Sequence, residues 1–192
     1  MLPEPYLDLP SETKIEKSVL QGSLIFRSGE KSTGFFHLLE GEVRMIRYAK
    51  DGADISIHRA FSGQSFAEAS LYSDTYHCDA VALKACSIVK FDKALVLHHL
   101  ETNAVFAMKM TAHLAGQVQD YRRLLELRAI RSAQERVYAG IAEGWLKGSV
   151  LSFASQLGLT HEATYRALSN LTKRGQLTKT GRGKYGIPSD SR

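Results

Sequence analysis

Apolar positions along the 192-residue chain change period twice, from strand to helix and back, and each change marks a different kind of element. From Leu20 to about Val89 they come in short runs punctuated by glycine: SLIF, GFFHLLE, GEVRMIRYA, DISIHRAF and DAVALKACSIVKF. Phe36 and Leu38, then Val43 and Met45, alternate with Glu42, Arg44 and Arg47 on the polar side, and Asp51-Gly52 between two such runs is a hairpin signal. Many short antiparallel strands at this spacing predict a small sandwich or barrel. Over 103–131 the period becomes helical, with no proline and a single glycine at Gly116, which predicts one helix of about seven turns. Two apolar rows run along it. Leu114, Val118, Tyr121 and Leu125 are expected to meet the same helix of a second copy, whereas Met108, Ala112, Ala115 and Gln119 are left for the β-domain. Ser132-Ala133-Gln134-Glu135 then reads as a capping box opening a new helix through Val137 and Ile141 toward Trp145. The long helix must break at 130–132, which makes that point a hinge and a domain boundary.

The last third has the pattern of a helix-turn-helix followed by a small β-wing. Leu151, Ala154 and Leu157 give a first helix, and Gly158 falls where a left-handed residue would end it. Thr160 is a suitable N-cap for a second helix with Ala163, Ala167, Leu168 and Leu171 facing inward. His161, Glu162, Tyr165, Arg166 and Asn170 remain on the outer face, the one that a recognition helix presents to a major groove. Gly175 ends that helix, and 177–180 and 184–187 are expected to pair as two short strands around Gly181 to Gly183.

Charge sharpens this reading. The net charge is +5, and its location matters more than its size. Residues 132–192 hold nine Lys or Arg and four Asp or Glu, whereas residues 1–131 hold sixteen of each, so the whole excess lies in the helix-turn-helix third. Lys173, Arg174, Lys179, Arg182 and Lys184 occur with no acidic residue among them, which suits phosphate contact beside a recognition helix. The expected DNA contacts are therefore Thr160, His161, Glu162, Tyr165 and Arg166 with these five basic residues. Cys78 and Cys86 are the two cysteines, too few for the four thiolates that iron–sulfur clusters commonly require, and they form no CxxC pair. The opening MLPEPYLDLP has neither a basic leader nor an apolar core, and no run approaches a membrane span, so a cytoplasmic chain without membrane contact is expected.

Taken together the motifs resemble the Crp/Fnr family of bacterial transcription regulators along nearly the whole chain. Those that carry the resemblance are Gly22 with Leu24-Ile25-Phe26, Gly29-Glu30, Phe36 to Gly41, Asp51-Gly52, Gly63 to Glu68, Leu157-Gly158, THEATYRAL and Leu171 to Leu177. The resemblance implies an α+β fold in three parts. Residues 1–102 would form a β-roll effector domain, a double-stranded β-helix of the cyclic-nucleotide-binding type. Residues 103–131 would form the dimerisation helix and hinge, and residues 132–192 a winged helix-turn-helix. It implies a homodimer on two-fold related sites in double-stranded DNA, contact with RNA polymerase, and an effector in the β-roll that shifts the winged helices. The base-contacting positions of the family map onto His161-Glu162 and Arg166, so Glu162 and Arg166 are kept. Arg166 can donate to guanine O6 and N7 and Glu162 can accept from cytosine N4, which implies a G·C-containing half-site, by analogy one with a central GA step. His161 leaves its outermost base open.

The departures bear on the effector. Members that bind cyclic AMP carry FGE followed by an Arg-Ser pair that holds the cyclic phosphate; here the segment is Ser65-Phe66-Ala67-Glu68, and the pair aligns with Cys78-Asp79. A carboxylate beside a buried phosphate, without a guanidinium to offset it, argues against cyclic AMP. No cofactor is required by the sequence. The effector pocket is expected around Glu68, His77, Cys78, Asp79, Tyr121 and Arg122, with Arg122 or Arg123 available to pair with Glu68. A haem, metal or redox sensor on the same fold is the alternative, resting on His77 and the Cys78 thiol, although neighbours on a strand point to opposite faces. A cupin-like metalloenzyme would need clustered histidines. The chain has no H-x-H pair followed by Glu, and His37, His58 and His77 fall on separate runs.

Overall fold

The computed structural model describes residues 2–49 and 51–188. The chain forms two compact units that divide between residues 114 and 115. The first contains eight strands: β1 Lys14–Val19, β2 Leu24–Phe26, β3 Gly34–Glu40, β4 Glu42–Tyr48, β5 Asp54–Phe61, β6 Ser65–Phe66, β7 Asp79–Ala82 and β8 Cys86–Asp92. They make two antiparallel sheets, ordered β1-β8-β3-β6 and β2-β7-β4-β5, as the glycine-punctuated pattern predicts. Phe26, Phe36, Leu38, Val43, Met45, Phe66 and Ile88 share the core that the sheets enclose. Helix α1, Lys93–Thr102, is capped by the Asp92 carboxylate, which accepts from the Leu95 amide. With the start of helix α2, Ala104–Ala129, it supplies a second core: Val96, Phe106 and Met110 with Tyr6, Phe35, Val89 and Phe91.

Strand β3 is buried on both faces, with Phe36 and Leu38 in one core and Phe35 in the other. That is why the sequence runs Phe-Phe-His-Leu-Leu there instead of alternating. Both ends of the strand are pinned by close backbone approach. A Cβ at Gly34 would fall on the Phe91 carbonyl, and one at Gly41 would lie 2.6 Å from Cys86 Sγ.

Three expectations change in this unit. The sheets begin at Lys14, ahead of the expected Leu20, because β1 is an edge strand whose charges hide its alternation. Glu42 does not sit on a solvated face: it is 5% exposed and paired with Arg59 at 3.3 Å and Lys84 at 3.1 Å. The rows on α2 also divide differently. Phe106, Met110 and Leu114 pack onto the β-roll core, whereas Met108 and Ala112 are exposed. Leu114 therefore leaves the seam with Val118, Tyr121 and Leu125, because the face toward the roll is the i, i+4, i+8 row starting at Phe106.

The second unit contains the rest of α2 with α3 Ala133–Ala142, α4 Val150–Gln156, α5 His161–Lys173, β9 Thr178–Gly181 and β10 Lys184–Gly186. Ser132 caps α3 as the sequence predicts, accepting from the Glu135 amide at 3.3 Å. The helix stops at Ala142, short of the expected Trp145. Leu127, Val137, Ile141, Phe153, Leu157, Leu168 and Leu171 close the core. In α4 the buried positions are Val150, Ser152, Phe153 and Ala154, and Leu151, expected inside, is 47% exposed. The helix is turned from the phase that Leu151 suggested, because Phe153 is the larger side chain and takes the core.

Candidate nucleic-acid interface

Helix α4 ends at Gln156 with Leu157 as its C-cap, Gly158 turns the chain with φ of +66°, and Thr160 opens α5 by accepting from the Ala163 amide at 3.1 Å. The buried face of α5 is Thr164, Ala167, Leu168 and Leu171. Thr164, absent from the expected inward set, is fully buried, and its hydroxyl donates to the Thr160 carbonyl at 3.0 Å. The outer face carries His161, Glu162, Tyr165, Arg166 and Asn170, all exposed. His161 and Tyr165 meet edge to face, with ring centroids 4.5 Å apart, so each limits the rotamers of the other. Glu162 and Arg166 form no ion pair among the described residues. Their polar atoms are open to an external partner, and Glu162 in the first turn is favoured by the helix dipole.

The wing follows at once. Strands β9 and β10 pair antiparallel, with Arg182 at the turn and a register shift between Lys184 and Tyr185. Lys173, Arg174, Lys179, Arg182 and Lys184 are all exposed, which joins the end of α5 to the wing in one basic surface. Tyr185 is half-buried against the core, and burial pushes its hydroxyl above the ordinary tyrosine value, with Tyr165 adding to the rise.

Two arginines that the sequence reading did not single out fix the turn. Arg128 Nε donates to the Gln156 carbonyl at 2.8 Å, and Arg136 Nη1 donates to the Leu157 carbonyl at 3.1 Å. Arg136 also donates through Nε to the Ile130 carbonyl at 2.9 Å. The last carbonyls of α4, which no helical amide can reach, are thus satisfied by guanidinium groups. Their only sequence signal is an arginine next to an expected helix break.

In the β-roll, Cys78, His77 and Asp79 have separate surroundings. Cys78 is 8% exposed within the inner core, and burial foremost pushes its thiol up, with Asp79 adding to the rise and Arg47 opposing it. Burial also pushes up the Cys86 thiol. His77 is exposed on the opposite side, 2.8 Å from the Ser73 hydroxyl, and its carbonyl accepts from Arg47 Nε at 3.0 Å. The Asp79 carboxylate accepts from the Ser28 amide at 2.8 Å. Glu68 opens a short 3-10 turn behind Ala67, whose φ of +65° is left-handed for a residue with a Cβ. Tyr121 and Arg122 are exposed on the second unit. Arg123, expected as a possible partner of Glu68, donates to Glu143 at 3.0 Å. The inner core is filled with aromatic rings: Phe26 and Tyr76 stack 3.9 Å apart, and Phe36 and Phe66 stack at 5.2 Å. Among the described residues no group of three His, Cys, Asp or Glu is placed to hold a metal ion, and no helix is long and apolar enough to cross a membrane.

Residues 16–103 match the family of cyclic nucleotide-binding domains. The nitrogen fixation regulation protein FixK of Bradyrhizobium diazoefficiens is 26% identical over 171 residues, covering 81% of this chain and 71% of that protein. The structure of FixK2 from Bradyrhizobium japonicum superposes with a TM-score of 0.67 at 22% identity, covering 92% of this chain and 93% of the other. The catabolite activator protein of Thermus thermophilus superposes with a TM-score of 0.52 at 22% identity, covering 97% and 91%. The match begins inside β1 and ends at the start of α2, so it takes in the β-roll and α1, while the superpositions extend the likeness across the winged helix-turn-helix. Residues 16–103 are thus similar to cyclic nucleotide-binding domains, and the chain as a whole shares the fold of these two solved structures.

Proposed function

We propose that this chain is a cytoplasmic transcription regulator of the Crp/Fnr type that reads two-fold related DNA half-sites as a homodimer and responds to an effector other than cyclic AMP. The observation that carries the DNA-binding reading is the outer face of α5. Glu162 and Arg166 stand exposed and, among the described residues, without ion-pair partners, beside a wing that exposes Lys179, Arg182 and Lys184. Base edges satisfy the first pair and phosphates the second group, which is the division of labour of a sequence-specific binder. Dimerisation is supported by α2, on which Val118, Tyr121 and Leu125 are exposed and fall on one face. RNA polymerase is the expected further partner, by the same likeness. The position of Cys78 in a packed core, with Asp79 already accepting from a backbone amide, supports the reading that a cyclic phosphate is not the ligand.

The redox and haem readings have less behind them. His77 and Cys78 point apart, and a buried thiol with a raised pKa is a poor thiolate. A regulator accounts for the basic wing and the outer face of α5, which a cupin-like enzyme would leave without a use.

Selection of bound duplexes from a random pool tests the reading. An inverted repeat with a G·C pair in each half-site is expected. Recovery of no consensus by folded, full-length protein would reject sequence-specific binding. Calorimetry with cyclic AMP is expected to show no saturable binding at low micromolar concentration, and stoichiometric heat there would overturn the effector reading.

A further inference from the structure

A groove of about 520 Å³ opens on the β-roll between the edge strands β1 and β2. Its floor is Phe26, Phe36, Tyr76 and Ile88, all buried. Lys17 lies across from Ile88, and Lys90 lies across from Phe36. Residues paired across antiparallel strands share a face, so both lysines sit on the face of the sheet that holds the inner core. Neither forms an ion pair among the described residues. Burial pushes Lys90 below the ordinary lysine value, the charge of Lys17 lowers it further, and Asp92 opposes this in part. Lys31 adds a third positive charge to the lining; the single carboxylate there, Glu30, already accepts from the Arg27 amide at 3.0 Å. Leu20 and Leu24 on the lip are 77% and 40% exposed. Two lysines beside an apolar floor, with an exposed apolar lip, lack an ion-pair partner among the described residues and a cover.

We infer that this groove binds a small amphipathic organic anion, its carboxylate or sulfonate between Lys17 and Lys90 and its apolar body along Leu20, Leu24 and the aromatic floor. The anion supplies a direct ion-pair partner where solvent is partly excluded, and its apolar part covers the lip. A simple inorganic anion fills only half of this description, and an apolar cation meets repulsion. The site lies apart from Glu68, Cys78 and Asp79 and stands whether or not the chain binds DNA. The competing explanation is that an inward lysine on an edge strand only guards against pairing with another chain.

Anilinonaphthalene sulfonate serves as the fluorescent probe on the full-length protein, with decanoate as competitor. One saturable site per chain is expected, displaced by decanoate but not by inorganic phosphate or decyltrimethylammonium. The double substitution Lys17→Gln/Lys90→Gln is expected to weaken the probe at least tenfold, while Lys14→Gln, on the opposite face of β1, leaves it unchanged. If the double variant does not fold, the native protein still decides: saturating decanoate should protect Lys17 and Lys90, but not Lys14, from acylation by an amine-reactive ester. Displacement by the cation as readily as by decanoate overturns the inference. So does unchanged affinity in a folded double variant, or unchanged acylation of Lys17 and Lys90.

Discussion

Arg136 reaches from the first turns of α3 to the carbonyl of Leu157, 3.1 Å away, at the last residue before the helix-turn-helix bends. Because the same side chain holds the Ile130 carbonyl, one residue ties the end of α2 to the end of α4. Arg136→Ala is expected to destabilise the second unit by about 2 kcal/mol, the loss of hydrogen bonds made by a charged group. Arg136→Lys should recover less than half, since an ammonium cannot fork between two carbonyls. Urea denaturation of the three proteins measures this, and equal stability of the arginine and alanine forms would show that the clamp is idle.

Substitutions on α5 and on the wing should behave differently toward DNA. Arg166→Ala and Glu162→Ala are each expected to cost about 1–3 kcal/mol at particular base pairs and to relax the sequence requirement there. Lys179→Ala and Arg182→Ala should weaken all sequences alike and reduce the salt slope by about one unit. Binding titrations on cognate and random duplexes at several salt concentrations separate the two classes. Equal loss on both duplexes for Arg166→Ala would move that residue to the backbone contacts.

The exposed side of α2 predicts where charge will break the dimer. Val118→Glu and Leu125→Glu are expected to shift the protein toward monomer, because each buried side chain of this size contributes roughly 1.5–3 kcal/mol per copy. Leu114→Ala should instead lower the stability of the β-roll and leave the dimer intact, since that side chain packs on the second core of the first unit. Light scattering at micromolar concentration distinguishes these outcomes.

His113 lies 3.1 Å from the buried Tyr6 hydroxyl, and burial lowers its pKa. The unfolded chain therefore binds this proton more readily than the folded one. The contribution to stability is complete above the unfolded histidine value, near 6.5, and falls as the pH drops below it toward the folded value. His113→Gln should flatten that part of the stability profile relative to the native chain, as thermal unfolding between pH 7.5 and 5 would show. An unchanged profile would mean that other groups set it.

Ala67 is a non-glycine residue with left-handed backbone. Ala67→Gly is expected to raise stability by about 1 kcal/mol, the relief of a Cβ in that region outweighing the added freedom of the unfolded chain. Chemical denaturation tests the sign.

Caps and turns were the most legible parts of the chain because their signals are local. Ser132 and Thr160 each needed only an amide three residues ahead, and Gly158 only its own backbone. Features set by distant partners were not legible. Glu42 reads as solvated until β5 brings up Arg59 and the turn after β7 brings up Lys84. Leu151 and Phe153 both fit a helical row, and only the surrounding core decides between them. The outer face of α5 was readable residue by residue, since an amphipathic helix separates its faces by spacing alone. The β-roll site was not, because Cys78, His77 and Asp79 are adjacent in sequence yet aim at a core, a hydroxyl and an amide.

The two apolar faces of β3 carry a consequence for how the sheet finds its alignment. A strand with one wet face is held in place because a one-residue slip would bury its polar side. β3 has no wet face to supply that safeguard: a slip exchanges Phe35 for Phe36 and leaves both cores aromatic, and within the strand only the buried His37, 3.0 Å from the Ser65 hydroxyl, tells one face from the other. Discrimination passes to the strand's ends. There, a displaced chain would bring a side chain to the places held by Gly34 and Gly41, against the Phe91 carbonyl and Cys86. Two missing methyl groups do the proofreading that hydrophobic patterning does elsewhere.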